Sequence, residues 1–186
     1  ERVEYDSPNG SGKMKGYFVR PAGAAGKLPG VLVIHENRGL NPHIEDVTRR
    51  VALEKFVAFA PDALTPLGGY PGEEDKARES FGKLDGEKTR ADFVAAAAWL
   101  AARPECAGKL GAIGFCWGGG MVNWLATQLP DLAAGVPFYG SGAPVADVPK
   151  IKAPLLIQSA EHDDRINAAW PDFEAALKAA GVRYER

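Results

Sequence analysis

Apolar and polar positions along this chain switch repeatedly between a two-residue and a 3.6-residue period, the signatures of strands and of helices. Lys15–Arg20 and Val31–Ile34 are the first two clear strands, separated by a Pro/Gly/Ala-rich turn at Pro21–Gly30. His43–Lys55 has helical spacing, with Ile44, Val47 and Val51 as its buried stripe and Leu53 as a further candidate. Phe56–Ala60 is the next strand, closed by Pro61. Thr89–Ala102 is a strong helix, with Thr89 as its expected cap and Pro104 just beyond its end. Strand Leu110–Gly114, helix Gly118–Gln128 and strands Leu132–Tyr139 and Leu155–Ser159 follow in order. Ala168–Ala180 is the last helix, stopped by Gly181, and Val182–Arg186 opens another extended piece.

Strands alternating with helices predict an α/β fold, a mostly parallel sheet covered on both faces. The uninterrupted apolar runs Val31–Ile34 and Leu155–Ile157 suit strands buried on both sides. Residues 1–186 read as one domain, with no internal repeat. Asp62–Gly86 is the one long segment rich in Gly, Pro and charge. It reads as a surface excursion, with a lid over a site as the sharper alternative.

Composition narrows the chemistry mainly by exclusion. Apolar residues are 46 % and charged residues 25 % of the chain, and the net charge of −2 comes from interspersed signs. That distribution carries no electrostatic footprint for nucleic acid or an anionic membrane. The longest apolar runs fall far short of a bilayer span. The two cysteines make no disulfide framework. Cys106 lies in a helix-to-strand connection and Cys116 at a strand end, so a bridge would have to cross the strand between them. No histidine-cysteine cluster has metal-ligand spacing, and no G-x-G-x-x-G follows the first strand, so neither metal nor cofactor is implied. The chain starts at Glu1, not Met, with no charged-then-apolar leader, so the start leaves the compartment open: the expectation is cytoplasmic, or periplasmic if an upstream signal was removed.

The sharpest motif is Gly114-Phe115-Cys116-Trp117-Gly118, a G-x-C-x-G version of the nucleophile elbow. Small residues two positions either side of the nucleophile let strand and helix approach closely at a strained turn. The context agrees, because an apolar strand precedes the motif and an apolar helix follows it. Such a turn sets the sulfur at a helix start, whose unpaired N–H groups favour negative charge there. It also aims the Trp117 N–H at the position where a carbonyl oxygen would become negative. The plainer alternative is a small core cysteine in a glycine-rich turn.

Gly-Phe-Cys-Trp-Gly-Gly-Gly (Gly114–Gly120) resembles the elbow of the dienelactone hydrolases (carboxymethylenebutenolidases), a family with the α/β-hydrolase fold. Val33-Ile-His-Glu-Asn-Arg-Gly-Leu-Asn-Pro-His is similar to that family's loop after its third strand. Ala60-Pro-Asp-Ala-Leu, Phe138-Tyr-Gly and Ser159-Ala-Glu-His-Asp-Asp-Arg-Ile-Asn resemble its further strand-end and acid-loop signatures. The likeness implies Cys116 as nucleophile, Asp163 as the acid of the triad with Asp164 as a substitute, and Glu36 as the carboxylate that takes the thiol proton. It implies an oxyanion hole from the backbone N–H groups of Asn37 and Trp117. Against these roles, Asp163 or Asp164 could simply cap the following helix, and Glu36 could be an exposed strand-end carboxylate.

In this fold the triad runs in the order nucleophile, acid, histidine. His35 and His43 precede Cys116, and His162 precedes Asp163, so all three read as local polar or packing residues. The triad histidine is expected beyond Arg186, together with the rest of the last strand and a C-terminal helix, whose absence would leave a sheet edge and part of its apolar face uncovered. The reaction implied is hydrolysis of a lactone or activated ester, a small-molecule substrate, by a monomer or homodimer through an acylated cysteine. A non-catalytic binding protein of the same fold, or another carboxylesterase, is the alternative. Arg38, Tyr70 and Arg78 are conceivable contacts for a substrate carboxylate or at the site's rim, with a solvated surface role as the plainer reading.

Overall fold

The computed structural model describes residues 1–186 and gathers the seven expected strands, with an unexpected one at Arg2–Ser7, into one eight-stranded sheet. The strands are β1 (Arg2–Ser7), β2 (Gly12–Val19), β3 (Leu28–Ile34), β4 (Val57–Pro61), β5 (Cys106–Phe115), β6 (Leu132–Phe138), β7 (Leu155–Leu156) and β8 (Tyr184–Glu185). Their spatial order is β1-β2-β4-β3-β5-β6-β7-β8. The β1-β2-β4 pairs are antiparallel and every pair from β4 to β8 is parallel. The helices are α1 (Pro42–Leu53), α2 (Glu74–Phe81), α3 (Gly86–Ala101), α4 (Trp117–Gln128) and α5 (Asp164–Ala179). This is the α/β-hydrolase architecture.

Side chains alternate across each strand, so successive apolar residues feed two separate cores. Leu32, Ile34, Phe59, Leu110 and Ala112 pack into the larger one with Phe93 and Leu100 of α3 and Val122 and Leu125 of α4. Val33, Ala58 and Ala60 face the other way, onto Ile44 and Ala52 of α1. Double-sided burial is why these strands show apolar runs rather than alternation. On the α1 side, β6 to β8 have no helix over them. Val136 and Leu156 line an open hollow there of about 450 Å³, and Leu156 is 43 % exposed.

Several details differ from the sequence reading. The α3 helix starts a turn earlier than Thr89, because Asp85 accepts hydrogen bonds from the Glu87 and Lys88 amides and so caps it. Thr89 instead donates its hydroxyl to the Asp85 carbonyl. The buried stripe of α1 is Ile44, Thr48 and Ala52, with Val47 and Val51 half-buried beside it. Leu53 sits off that stripe and is 78 % exposed. Cys106 is the first residue of β5 rather than part of the connection, and both thiols are free. The α5 helix begins at Asp164, four residues before Ala168, because Asp163 caps it. Gly181 ends it as expected, at φ 66, with Val182 N–H donating to the Leu177 carbonyl.

Candidate active site

β5 ends at Phe115 and α4 begins at Trp117, so Cys116 alone makes the turn, at φ 54 and ψ −114. A non-glycine residue held there costs about 1–3 kcal/mol and persists only where its surroundings enforce it. Two glycines do so here. A Cβ on Gly114 would lie 2.2 Å from the Gly118 carbonyl oxygen, and one on Gly118 would lie 2.4 Å from the Ile34 carbonyl oxygen. Strand and helix can therefore close on each other, and β3 can close on both. The Cys116 N–H donates to Phe138 O at 3.0 Å, and its carbonyl accepts from Gly120 N at 3.2 Å. The Trp117 N–H belongs to the first turn of α4, which has no intrahelical acceptor.

Register brings the other groups to the same place. Ile34 pairs with Gly114 and Phe115 pairs with Phe138. Glu36, Cys116 and Tyr139 therefore stand just past the ends of three adjacent parallel strands. The Tyr139 hydroxyl donates to Glu36 Oε1 at 3.2 Å, spanning the end of β5. Burial, the Glu36 charge, the hydrogen bond to Glu36 and the nearby Cys116 push the phenol up to about 12, so it remains a donor throughout the neutral range. Tyr139 also takes a positive φ of 39, and its N–H donates to Gln158 O at 2.7 Å. The sequence marked Phe138-Tyr-Gly only as a strand end and assigned Tyr139 no role.

His35 is fully buried beneath this row. Its Nε2 accepts from the Ala63 N–H at 3.1 Å, which places the proton on Nδ1, and Nδ1–H donates to the Glu36 carbonyl. Its ring stacks on Trp117 with centroids 5.6 Å apart, and Phe81 and Phe93 meet it edge-on. Burial lowers its tendency to take a proton, outweighing the Asp62 charge that opposes this. His35 is thus a packed, neutral residue that fixes the loop bearing Glu36 and Asn37. The Asn37 side chain accepts from Arg38, whose guanidinium also lies 3.8 Å from Glu74.

Asp163 stands two strands away, on the loop after β7, and its Oδ1 accepts from Ile166 N at 3.1 Å as the cap of α5. No hydrogen bond joins it to Cys116 or Glu36. The loop is braced by Asn167, which donates to the Ala160 and Glu161 carbonyls, and by Arg186, which donates to Ser159 Oγ at 2.7 Å. Asp164 is exposed in the first turn of α5. His162 and His43 are exposed and make no hydrogen bond to the site.

The segment 62–86 holds α2 as well as a short 3-10 turn, Thr65–Leu67. Phe81 of α2 meets Trp117 edge-on at 4.8 Å, so the segment packs against the elbow rather than running free over the surface. Asp62, nearly buried, organises its start by accepting from Leu64 N and Tyr70 N. Arg78 pairs on the surface with Asp75, and Tyr70 lines a different hollow beside Lys15. A groove of about 600 Å³ begins at Trp117 and runs along α4, facing the loop after β6 and one side of α5.

Comparison with known proteins bears on the family and the fold. A family model described as the dienelactone hydrolase family matches residues 14–185. A Salmonella typhimurium protein assigned as a carboxymethylenebutenolidase is 35 % identical over 193 residues, covering 96 % of this chain and 71 % of its own. The chain belongs to the dienelactone hydrolase family. A hydrolase fragment of Escherichia coli K12, YghX, is 56 % identical over 85 residues, covering 46 % of this chain and 73 % of its own. The crystal structure of a Klebsiella pneumoniae protein assigned as a dienelactone hydrolase superposes with a TM-score of 0.83 at 28 % identity, covering all of this chain and 83 % of that one. No helix of the chain is long and apolar enough to cross a membrane.

Proposed function

We propose that this member of the dienelactone hydrolase family hydrolyses lactones or activated carboxylic esters through Cys116. The observation that carries the reading is the backbone of Cys116, held at φ 54 between two glycines whose hydrogens are all the space permits. Such strain has no use in a core cysteine and is what a displayed nucleophile requires.

In this reading the Cys116 sulfur attacks the carbonyl carbon and Glu36 takes the thiol proton. Tyr139 occupies Glu36 Oε1, and no hydrogen bond engages Oε2, which is left to receive that proton. The Trp117 and Asn37 N–H groups stabilise the oxyanion, worth about 3–4 kcal/mol for one such donor. The carbon–oxygen bond then breaks, Glu36 returns its proton to the departing oxygen, and an acyl-cysteine remains. Water releases the acid with the help of a base. His35 is fully occupied by the Ala63 amide and the Glu36 carbonyl, and His43 and His162 are exposed and make no hydrogen bond to Cys116 or Glu36. The family resemblance assigns the base to a histidine that follows Asp163 in chain order and is oriented by that carboxylate.

A burst experiment with an activated ester tests this. Wild type should release one equivalent of alcohol rapidly and gain one acyl group by intact mass, and Cys116→Ala should do neither while melting cooperatively. Hydrolysis unchanged in Cys116→Ala would remove the nucleophile. A burst without turnover in a protein of residues 1–186, with turnover restored in a longer chain, would place the base outside these residues.

A further inference from the structure

The groove beside the elbow is built on one face of α4. Trp117, Gly120, Met121 and Trp124 line it at spacings of three, one and three, so a single helical stripe leads away from the residue after the nucleophile. Phe173 and Ala169 of α5 form the facing wall, and Gly142–Val145 closes the side. At about 600 Å³ it is large enough for a drug-sized ligand. Its aromatic surfaces are fixed. Trp117 is held by His35, Phe81 and Phe93, and Trp124 carries the Arg90 guanidinium 5.3 Å from its ring.

The charges on the groove's lining are not arranged for an anion. Arg90 is paired with Glu87 at 3.1 Å, whereas Asp172, which also lines the groove, has no cationic partner. A carboxylate entering would meet a cation already neutralised and a carboxylate that is not. An uncharged ring would gain two indole faces, a methionine and a phenylalanine without burying a charge.

Building on the Cys116 reading, we propose that this groove is the acyl subsite and that it selects esters with an uncharged aromatic acyl group over acyl groups bearing a carboxylate. The attached acyl chain runs from the sulfur past Trp117 and Gly120, and its ring rests between Trp124 and Phe173.

Vinyl esters test this, because their leaving group is small and does not compete for the groove. The second-order rate of Cys116 acylation should be at least ten-fold higher for vinyl 3-phenylpropanoate than for vinyl acetate or monovinyl succinate. Ala169→Phe, which fills the groove from an exposed helical position, should lower the phenylpropanoate-to-acetate ratio at least five-fold. Equal rates for all three esters, or a ratio unmoved by Ala169→Phe, would overturn the subsite. If no ester acylates Cys116, the proposed function fails and the subsite is judged separately, by tryptophan fluorescence with the neutral amide 3-phenylpropanamide. Saturable binding that Ala169→Phe weakens and that 3-phenylpropanoate does not match keeps the subsite. No binding, or equal binding of the anion, ends it.

Discussion

Tyr139 shows how much of this site is decided between strands. Its hydroxyl reaches a residue 103 positions away in sequence, across the end of β5, and no motif within one segment encodes that contact. The elbow was legible because its constraint is local: two glycines flank Cys116 within five residues. Glu36 and Tyr139 become partners only once β3, β5 and β6 lie side by side in register. In the proposed mechanism, the Tyr139 hydroxyl holds one oxygen of Glu36 and leaves the other to take the thiol proton. Tyr139→Phe should lower kcat/KM for an activated ester about ten-fold, the loss of one hydrogen bond to a charged group of roughly 1.4 kcal/mol. The melting temperature should move little, since the phenol is only half-buried. An unchanged kcat/KM would make Tyr139 a bystander. The raised phenol also makes a spectroscopic prediction: an absorbance titration should show a tyrosine ionising near 12 that is missing in Tyr139→Phe.

At the scale of elements, patterns within one segment were easy to read and their boundaries were not. Apart from one helix, the strand and helix sequence from Lys15 to Gly181 was visible in periodicity, because each element buries its own apolar face. The segment Glu74–Phe81 escaped notice because its only fully buried side chain is Ala77, which leaves almost no apolar stripe. The β1 strand, Arg2–Ser7, alternates exposed charges with Tyr5 and Ser7, a weak signal until its antiparallel pairing with β2 is known. The start of α3 was missed because capping is set by a side chain reaching forward to the first-turn amides, and Asp85 outcompetes Thr89 by lying one turn earlier. Replacing Asp85 with Ala should therefore cost about 1 kcal/mol of unfolding free energy. The elbow is less forgiving. In Gly118→Ala the new carbon would press on two backbone oxygens, of Ile34 at 2.4 Å and His35 at 2.6 Å, and neither can rotate away. Overpacking of this kind should cost about 1–3 kcal/mol in urea unfolding and, by displacing β3 from α4, should depress activity further. A fully stable and active Gly118→Ala would mean that strand and helix are not held as tightly as these distances imply.

For the whole molecule, the decisive feature is the strand order. The chain crosses from β3 to β4 in one direction and returns to β5 in the other, so the order reverses between β3 and β5. Open α/β sheets bind ligands in the crevice outside the strand ends at such a reversal. Alternating strands and helices predicted a parallel sheet, but many strand orders satisfy that alternation, and only long-range pairing chooses among them. His35 is the side chain that ties this crevice to the rest. It joins the end of β3 to Ala63 after β4, touches α2 and α3 through Phe81 and Phe93, and stacks on the first residue of α4. Burial keeps its imidazole neutral in the folded state, below the ordinary value of 6.5 that the unfolded chain recovers. As pH falls through that ordinary value the unfolded chain takes up a proton that the folded chain refuses. The contribution is therefore complete above the unfolded value and lost progressively below it. Urea unfolding from about pH 7.5 down to about pH 5.5 should show stability falling by as much as about 1.4 kcal/mol per pH unit once below about 6.5. His35→Gln should be less stable at neutral pH, because it loses the stacking and disturbs two buried hydrogen bonds, yet its stability should depend less on pH over the same window. If the slope survives the substitution unchanged, some other group carries the acid sensitivity, and His35 is a packing residue whose protonation has no bearing on when the crevice comes apart.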